Sequence, residues 1–397
     1  MKLKWQLWTP IIRREAKLIS RDINILAVVL IAPLIYGLFY PSVYWHKGEQ
    51  DVPVVVVDAD HSALSRTLIR SLDAHRLVAV QSEAADYGQA KAQLETGAVQ
   101  GIVYIPSDFS KKIKKGQGVT IKIFLNTSRF LVSNDMNLAI NEVVATLNAG
   151  IRINYFKSQG LPAQKALPLQ TEVRTLFNPA LTYGDFLIPG LLVLILQQTL
   201  LIGLAESFAK EREEHTIKQL FELAGHRMDV ALAGKAAFYL ALFGAYSALF
   251  YGAFFSLFHI PLHGNLWALT ALTVLFLITV IYISLLISSF FKRKIVALQF
   301  LVFTSYPVFL LSGYSWPLSA MPGWLRVAAQ LLPGTPYLNA FVRITQMGAG
   351  WGAVWPQFLH LAALAFTGFI LIRWRLYRLL KKEYGVEVKV FERALQV

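Results

Sequence analysis

Acidic and basic side chains alternate most closely in one short tract: Lys210, Glu211, Arg212, Glu213, Glu214 and His215, then Thr216 and Lys218. At helical spacing Glu211 meets His215 and Glu214 meets Lys218, while Ile217, Leu220, Phe221 and Ala224 share one apolar stripe. A helix of that kind either lies on a membrane as a solvated connector or docks a protein through its charges. Bond-making chemistry has no comparable constellation. No Gly-x4-Gly-Lys-Ser/Thr phosphate loop occurs, so the chain is expected to hydrolyse no ATP itself. Asp58, Asp60 and His61 carry metal-binding groups, but Asp58 ends an apolar run and Asp60 or Ser62 stands where a helix cap belongs. No Ser/His/Asp or zinc-ligand spacing appears elsewhere. Catalytic, cofactor and metal roles are assigned to no residue.

The elements that must position this tract are membrane spans. Six apolar runs free of Asp, Glu, Lys and Arg cover 23–44, 186–205, 236–260, 266–291, 295–311 and 353–372. Each holds roughly 17 to 26 residues, the length a helix needs to cross about 30 Å of hydrocarbon. Hydrophobic residues make up 55% of the 397, more apolar surface than a soluble chain can cover. The fold class is therefore a polytopic α-helical membrane protein with six transmembrane helices. The net charge of +14 gathers in four clusters. Lys2, Lys4, Arg13, Arg14, Lys17 and Arg21 precede span one, and Lys210, Arg212, Lys218, Arg227 and Lys235 separate spans two and three. Lys292, Arg293 and Lys294 separate spans four and five; Arg373, Arg375, Arg378, Lys381 and Lys382 follow span six. Alternate threading puts all four clusters on one side, which the positive-inside rule makes cytoplasmic, with both termini. Such bases suit anionic headgroups, not nucleic acid.

Between spans one and two lies an insertion of about 140 residues, 46–183, large enough for its own core and expected to be extracytoplasmic. Strands at 52–57, 77–81, 101–105 and 119–125 alternate with helices at 62–74, 86–95 and 107–115. A long helix over 130–157 leads back towards the membrane. This alternation predicts a small α/β sandwich. The chain has no cysteine, so packing alone must hold it. Lys111, Lys112, Lys114 and Lys115 make the third of its helices a basic, solvated one. Residues 1–22 predict an interfacial helix with Trp5, Trp8, Ile12 and Ile19 near one face and Arg13, Arg14, Lys17 and Arg21 on another. Pro10 fits best as a first helical residue. The run at 23–45 is too long for a cleaved signal peptide and is expected to remain as an anchor. A five-span domain over 184–375, with the charged tract at 206–226, and a cytoplasmic tail over 376–397 complete the organisation.

Uncharged polar residues inside the spans are the other candidates. Gln197, Gln198 and Thr199 lie in the middle of span two, and Gln299, Thr304, Ser305 and Tyr306 in span five. They serve either as hydrogen-bonding glue between helices or as the lining of a translocation path or dimer seam. Pro189, Gly190 and Pro307 loosen their helices; with Pro317 and Pro322 beyond span five they form a candidate outer gate. Asp185 is expected to cap span two, and His360 to serve packing in span six.

Lys210-Glu-Arg-Glu-Glu-His-Thr-Ile-Lys-Gln-Leu220, with Gly234 and Lys235 further on, resembles the segment after the second span of type-2 ABC-transporter permeases. That family commonly has Gly-Thr and then Glu-Gln-Leu here; this chain keeps Thr216, Gln219 and Leu220 but has His215 for the Gly and Lys218 for the Glu. Leu311-Ser-Gly-Tyr-Ser-Trp-Pro and Leu332-Pro-Gly-Thr-Pro-Tyr337 are similar to the family's outer re-entrant segment, here 312–340. Val54-Val-Val-Val-Asp-Ala-Asp-His-Ser and Gly101-Ile-Val-Tyr-Ile-Pro-Ser resemble the subgroup with a large extracytoplasmic insertion between its first two spans. The resemblance implies the permease subunit of an ATP-driven exporter in a bacterial inner (plasma) membrane. A separate cytosolic ATPase would dock on 210–224, with Glu206, Lys210, Glu211, Arg212, Glu213, Glu214, His215 and Thr216 as coupling residues. It implies that ATP and Mg belong to that partner, that this chain binds no cofactor, and that spans two and five meet across a homodimer or a heterodimer with a related permease. A periplasmic adaptor is a further open partner.

Two other classes compete. An ion-coupled secondary efflux carrier needs a buried carboxylate that the six apolar runs lack, and its halves would mirror each other. A membrane-anchored sensor or scaffold would need fewer than five spans after its external ligand-binding domain.

Overall fold

The computed structural model describes residues 2–46, 48–160, 162, 174–179 and 181–384, with the side chains of 2–7 and 384 excepted. Trp5 and most of the tail lie outside the described side chains. Helix α1 (Lys2–Ser20) runs through Pro10 instead of starting there. Its buried stripe is Ile11, Glu15 and Ile19, at 0%, 0% and 3% exposure, with Ile12 only half-buried. The inward face is thus one residue away from the Ile12 face, and it carries a carboxylate. Asp22 caps the first span, α2 (Ile23–Val43), accepting from the Asn24 amide at 3.1 Å. A π turn at Ala27–Ile31 interrupts α2, and Pro33 follows it.

Contacts divide the chain into two units, Met1–Lys47 with Thr175–Val397, and Gly48–Arg174. In the second, β1 (Val52–Asp58) carries four consecutive valines buried on both faces. Val54 and Val56 pack with α3 (Ala63–Asp73); Val55 and Val57 pack on the opposite side. Burial on both faces is what a central parallel strand requires. Around β1 stand β2 (Val78–Glu83), α4 (Tyr87–Glu95), β3 (Gly101–Ile105), α5 (Phe109–Lys114) and β4 (Lys122–Leu125). The sheet order is β2-β1-β3-β4, parallel except for the β3–β4 pair. The 29-residue α6 (Phe130–Ser158) lays Met136, Ala139, Ile140 and Val143 on the Val54/Val56 face. Ser62 caps α3 in a reciprocal capping box with Ser65. Asp58 accepts from the Ser65 hydroxyl at 2.6 Å, and Asp60 reaches the amide and hydroxyl of Ser110 at the start of α5.

The first unit resumes at α7 (Tyr183–Glu213), then α8 (Ile217–Leu223) and α9 (Met228–Leu257), which contains a second π turn at Leu249–Phe254. Next come α10 (Leu266–Ser288), α11 (Lys294–Leu311), the short α12 (Gly323–Gln330) and α13 (Gly334–Thr345), and α14 (Trp351–Tyr384). Among the described residues α2, α7, α9, α10, α11 and α14 are long and apolar enough to cross a membrane. Span four, α10, is the hub, packing on α7, α9, α13 and α14. Its Ser284 and Ser288 hydroxyls donate to the Leu201 and Ala205 carbonyls of α7 at 2.8 and 2.5 Å, two rungs one turn apart. Tyr337 of α13 is fully buried, stacks on Phe276 at 3.9 Å and shares hydrogen bonds with Tyr251 and Thr273. Spans two and six overrun their apolar runs: α7 continues to Glu213, and α14 continues to Tyr384 into the stretch expected as tail. The cap of α7 is Thr182, whose hydroxyl is bound by Asp185 at 2.7 Å; Asp185 sits one turn inside.

Candidate functional site

At 31 residues α7 is about 46 Å long, against roughly 30 Å of hydrocarbon, so its last two turns leave the apolar layer. They stay helical because their charges find partners. The helix stops in a left-handed turn: His215 has φ +56°, its amide bonds the Arg212 carbonyl at 3.2 Å, and the Thr216 amide bonds the Glu211 carbonyl at 2.8 Å. That bond pair is a Schellman stop, in which glycine is the usual residue. The stop parts Glu211 from His215 and Glu214 from Lys218, so neither expected pair forms. The pairs that form are Lys210–Glu214 at 3.7 Å and Lys218–Glu222 at 4.0 Å.

Beyond the stop, α8 turns Ile217, Leu220 and Phe221 inward, and Leu220 meets Ile11 of α1 with Val230 and Ala231 of α9. Gly234 makes this approach possible, since a Cβ there would press into Ile11. One turn along α1, Glu15 faces the Lys235 ammonium at 2.7 Å, and Glu211 of α7 takes the same ammonium at 3.2 Å. Arg14 closes the group on Glu211 and on the Thr216 carbonyl. Glu15, Glu211 and Lys235 are at most 1% exposed, so two acids and two bases form a neutral cluster away from water. Burial pushes the Glu15 carboxyl up, against the pull of Lys235. Burial lowers the Arg14 guanidinium, but Glu211 outweighs it and the net shift is up.

A second cluster tightens the same end. Asp22 accepts from Lys210 at 2.8 Å and from Lys294 at 2.7 Å. Burial alone would raise its carboxyl, but these two hydrogen bonds prevail and hold it well below the usual carboxylate range. Arg212 reaches the Ser289 and Phe291 carbonyls at 2.6 and 2.8 Å and Glu383 of α14 at 2.8 Å. Glu213 receives the Lys294 amide at 2.9 Å and so caps α11. Arg14, Glu15, Asp22, Lys294 and Glu383 were not among the expected site residues.

The structure thus sorts the tract in two. Glu206, Glu211 and Arg212 are buried and Lys210 and Thr216 half-buried, all turned to their own chain; Glu213, Glu214 and His215 are exposed, as are Lys218, Gln219 and Glu222. Carboxylates absent from the apolar runs are present on the same helices just past them. Glu206 keeps one oxygen without a partner.

The polar residues of spans two and five separate. Gln197 is buried against Gly334 of α13, its amide oxygen unpaired, and Thr199 bonds its own Ile195 carbonyl at 2.6 Å. Gln198 is half-buried with its amide nitrogen unpaired. On α11, Gln299, Val302, Phe303, Tyr306 and Leu310 form an exposed stripe, whereas Thr304 bonds its own Phe300 carbonyl at 2.9 Å.

Pro189 and Gly190 lie buried in the first turns of α7. Proline has no amide to give the carbonyl four residues back, and Gln346 donates to that carbonyl, on Asp185, at 3.1 Å. Tyr314 donates to the next carbonyl, on Phe186, and stacks on the Phe186 ring at 5.2 Å; a Cβ on Gly190 would enter the Tyr314 ring. Pro307 faces outward on α11, and Pro317 and Pro322 stand exposed before Leu318–Ala320 and α12. The structure does not gather the five gate residues. His360 holds the Gln330 carbonyl at 2.9 Å.

A family model described as "ABC-2 family transporter protein" matches residues 24–374. The chain is 25% identical over 380 residues to "Probable multidrug ABC transporter permease YbhR" of Escherichia coli (strain K12), covering 93% of this chain and 98% of that protein. It is 23% identical over 331 residues to "Inner membrane transport permease YhhJ" of the same strain, covering 81% and 85%. To "Linearmycin resistance permease protein LnrN" of Bacillus subtilis (strain 168) it is 23% identical over 357 residues, covering 84% and 90%.

Proposed function

The chain belongs to the ABC-2 family of transporter proteins, and from that premise we propose that it works as an exporter, in a dimer whose stroke comes from a cytosolic ATPase seated on the exposed face of 213–222. As a member it is a multi-pass membrane permease subunit, with the ATPase on another chain. The observation that carries the coupling reading is the two-sided character of the charged end. One side offers Glu213, Glu214, Lys218, Gln219 and Glu222 to solvent; the other packs Leu220 on α1 and α9, which buried ion pairs fasten to each other and to α7. A push on α8 therefore reaches three helices at once. The four basic clusters favour a cytoplasmic position for this end, with the α/β unit outside. The uncovered stripe of α11 offers a surface for a second permease. Export of small hydrophobic compounds fits the names of the multidrug and linearmycin-resistance relatives. The α/β unit fits an extracytoplasmic platform for substrate or for an adaptor.

Replacing Glu214, Lys218 and Glu222 together by Ala tests this. Exposed pairs contribute only a few tenths of a kcal/mol each, so the protein should still insert and fold. ATPase copurification and ATP-dependent efflux should both be lost. Efflux and ATPase binding at the unmodified level would place the docking surface elsewhere. A reporter fused near Gln100 should read as external, and a cytoplasmic reading would overturn the topology.

A further inference from the structure

The α/β unit holds an elongated groove of about 690 Å³ between α6 and the segment that joins α5 to β4. One wall is a stripe of α6: Asn141, Val144, Asn148, Ile151 and Tyr155 recur every three or four residues. At 1.5 Å per residue the stripe runs about 21 Å. Phe109, Ile113 and Val119 supply the other wall, so the floor continues the hydrophobic core instead of ending at it. Among the described residues the lining contains no Asp or Glu, and its one charged residue is Arg152. Arg152 is exposed and has no ion pair among the described residues. Flanking the lining residue Ile113 in sequence, α5 carries exposed Lys111 and Lys114, followed by exposed Lys115, while Lys112 pairs with Asp108 at 2.6 Å.

We propose that this groove binds an anionic amphiphile, its hydrocarbon along the α6 stripe and its acidic head on Arg152. Two properties select that ligand. Charge complementarity calls for an acid, since among the described residues Arg152 is the one charged side chain of the lining and no carboxylate accompanies it. Lining calls for a hydrocarbon, since Phe109, Ile113, Val119, Val144 and Ile151 all border the groove. The volume lies within the roughly 300–1,000 Å³ of small-molecule sites. The exporter reading supplies only the ligand's fate; the binding stands apart from it.

The test uses the full chain in phosphatidylcholine nanodiscs without ATP or ATPase, so it is blind to whether transport occurs. A photoreactive long-chain fatty acid should label peptides from 109–121 and 141–156, about threefold above the matching fatty alcohol, as one exposed charge contact provides. Arg152→Glu, at an exposed position that packing does not need, should erase the preference for the acid. Ala145→Trp should fill the groove and lower labelling by both probes, with thermal unfolding checked alongside. Three results overturn the proposal: labelling confined to the spans, equal labelling by alcohol and acid, or a photoreactive group at Asn148 that traps a polypeptide in place of lipid in cells.

Discussion

The two ends of α7 are held by different chemistry. At the Glu213 end, ions largely out of water bind the helix to α1, α9 and α14, and the exposed Glu213 caps α11. At the Tyr183 end, neutral donors from Tyr314 and Gln346 sit on carbonyls near a proline. A buried ion pair contributes little net stability but is costly to break, because the remaining charge has no water. A neutral hydrogen bond is worth about 1 kcal/mol and is exchanged readily. The charged end is therefore built to transmit displacement as a unit, and the proline end to rearrange.

Three changes can break or sharpen this contrast. The largest effect belongs to Lys235→Met, which strands Glu15 and Glu211 together in the interior; it should cost about 3–5 kcal/mol, read as loss of folded protein in thermal unfolding. Adding Glu15→Gln and Glu211→Gln should recover much of that loss. If Lys235→Met alone is harmless, the cluster is not the fastening described here. At the opposite end, Gly190→Ala forces a methyl into the Tyr314 ring and should cost roughly 1–3 kcal/mol. Combined with Tyr314→Ala, the penalty should fall short of the sum, and strict additivity would show that the two groups do not touch.

The smallest effect concerns acid. The Asp22 carboxyl is held low in the folded chain, so its stabilisation is present above the ordinary aspartate value of about 3.9 and fades as pH falls through the depressed value. Asp22→Asn keeps a capping side chain and removes the charge. The unfolding midpoints of the two proteins should differ at neutral pH and converge only below about pH 3.9. A gap that closes between pH 5 and 7 would assign the effect to some other group.

Much of the architecture was legible because single patterns determine it. A run of β-branched residues made β1 a buried strand, and apolar length marked six spans. The charged end was harder, for two physical reasons. His215 occupies a turn that glycine normally announces, so the tract read as one continuous helix and its expected pairs straddled a stop. The partners in the cluster are also far away in sequence: Arg14 lies 197 residues from Glu211, and Glu15 lies 220 from Lys235. A clue was present in α1 nonetheless. Glu15 is the only acid among its 19 residues, and it lies four positions from both Ile11 and Ile19, on the face that packs. Gln197 and Gln299 looked alike as mid-span polar residues, yet one faces its own chain and the other the surface, a distinction that composition cannot carry.

The π turns of α2 and α9 give the two helices something a regular helix lacks, which is slack. Each turn accommodates one residue beyond the α-helical count, and in α2 the Leu30 carbonyl within it is taken by the Tyr246 hydroxyl at 3.0 Å. The surplus residue can move along the helix by exchanging one carbonyl partner for the next, and each step turns the side chains it passes by about 100°. Spans one and three can in this way swivel part of their length while their ends stay fastened, much as a ruck travels along a carpet whose edges are pinned.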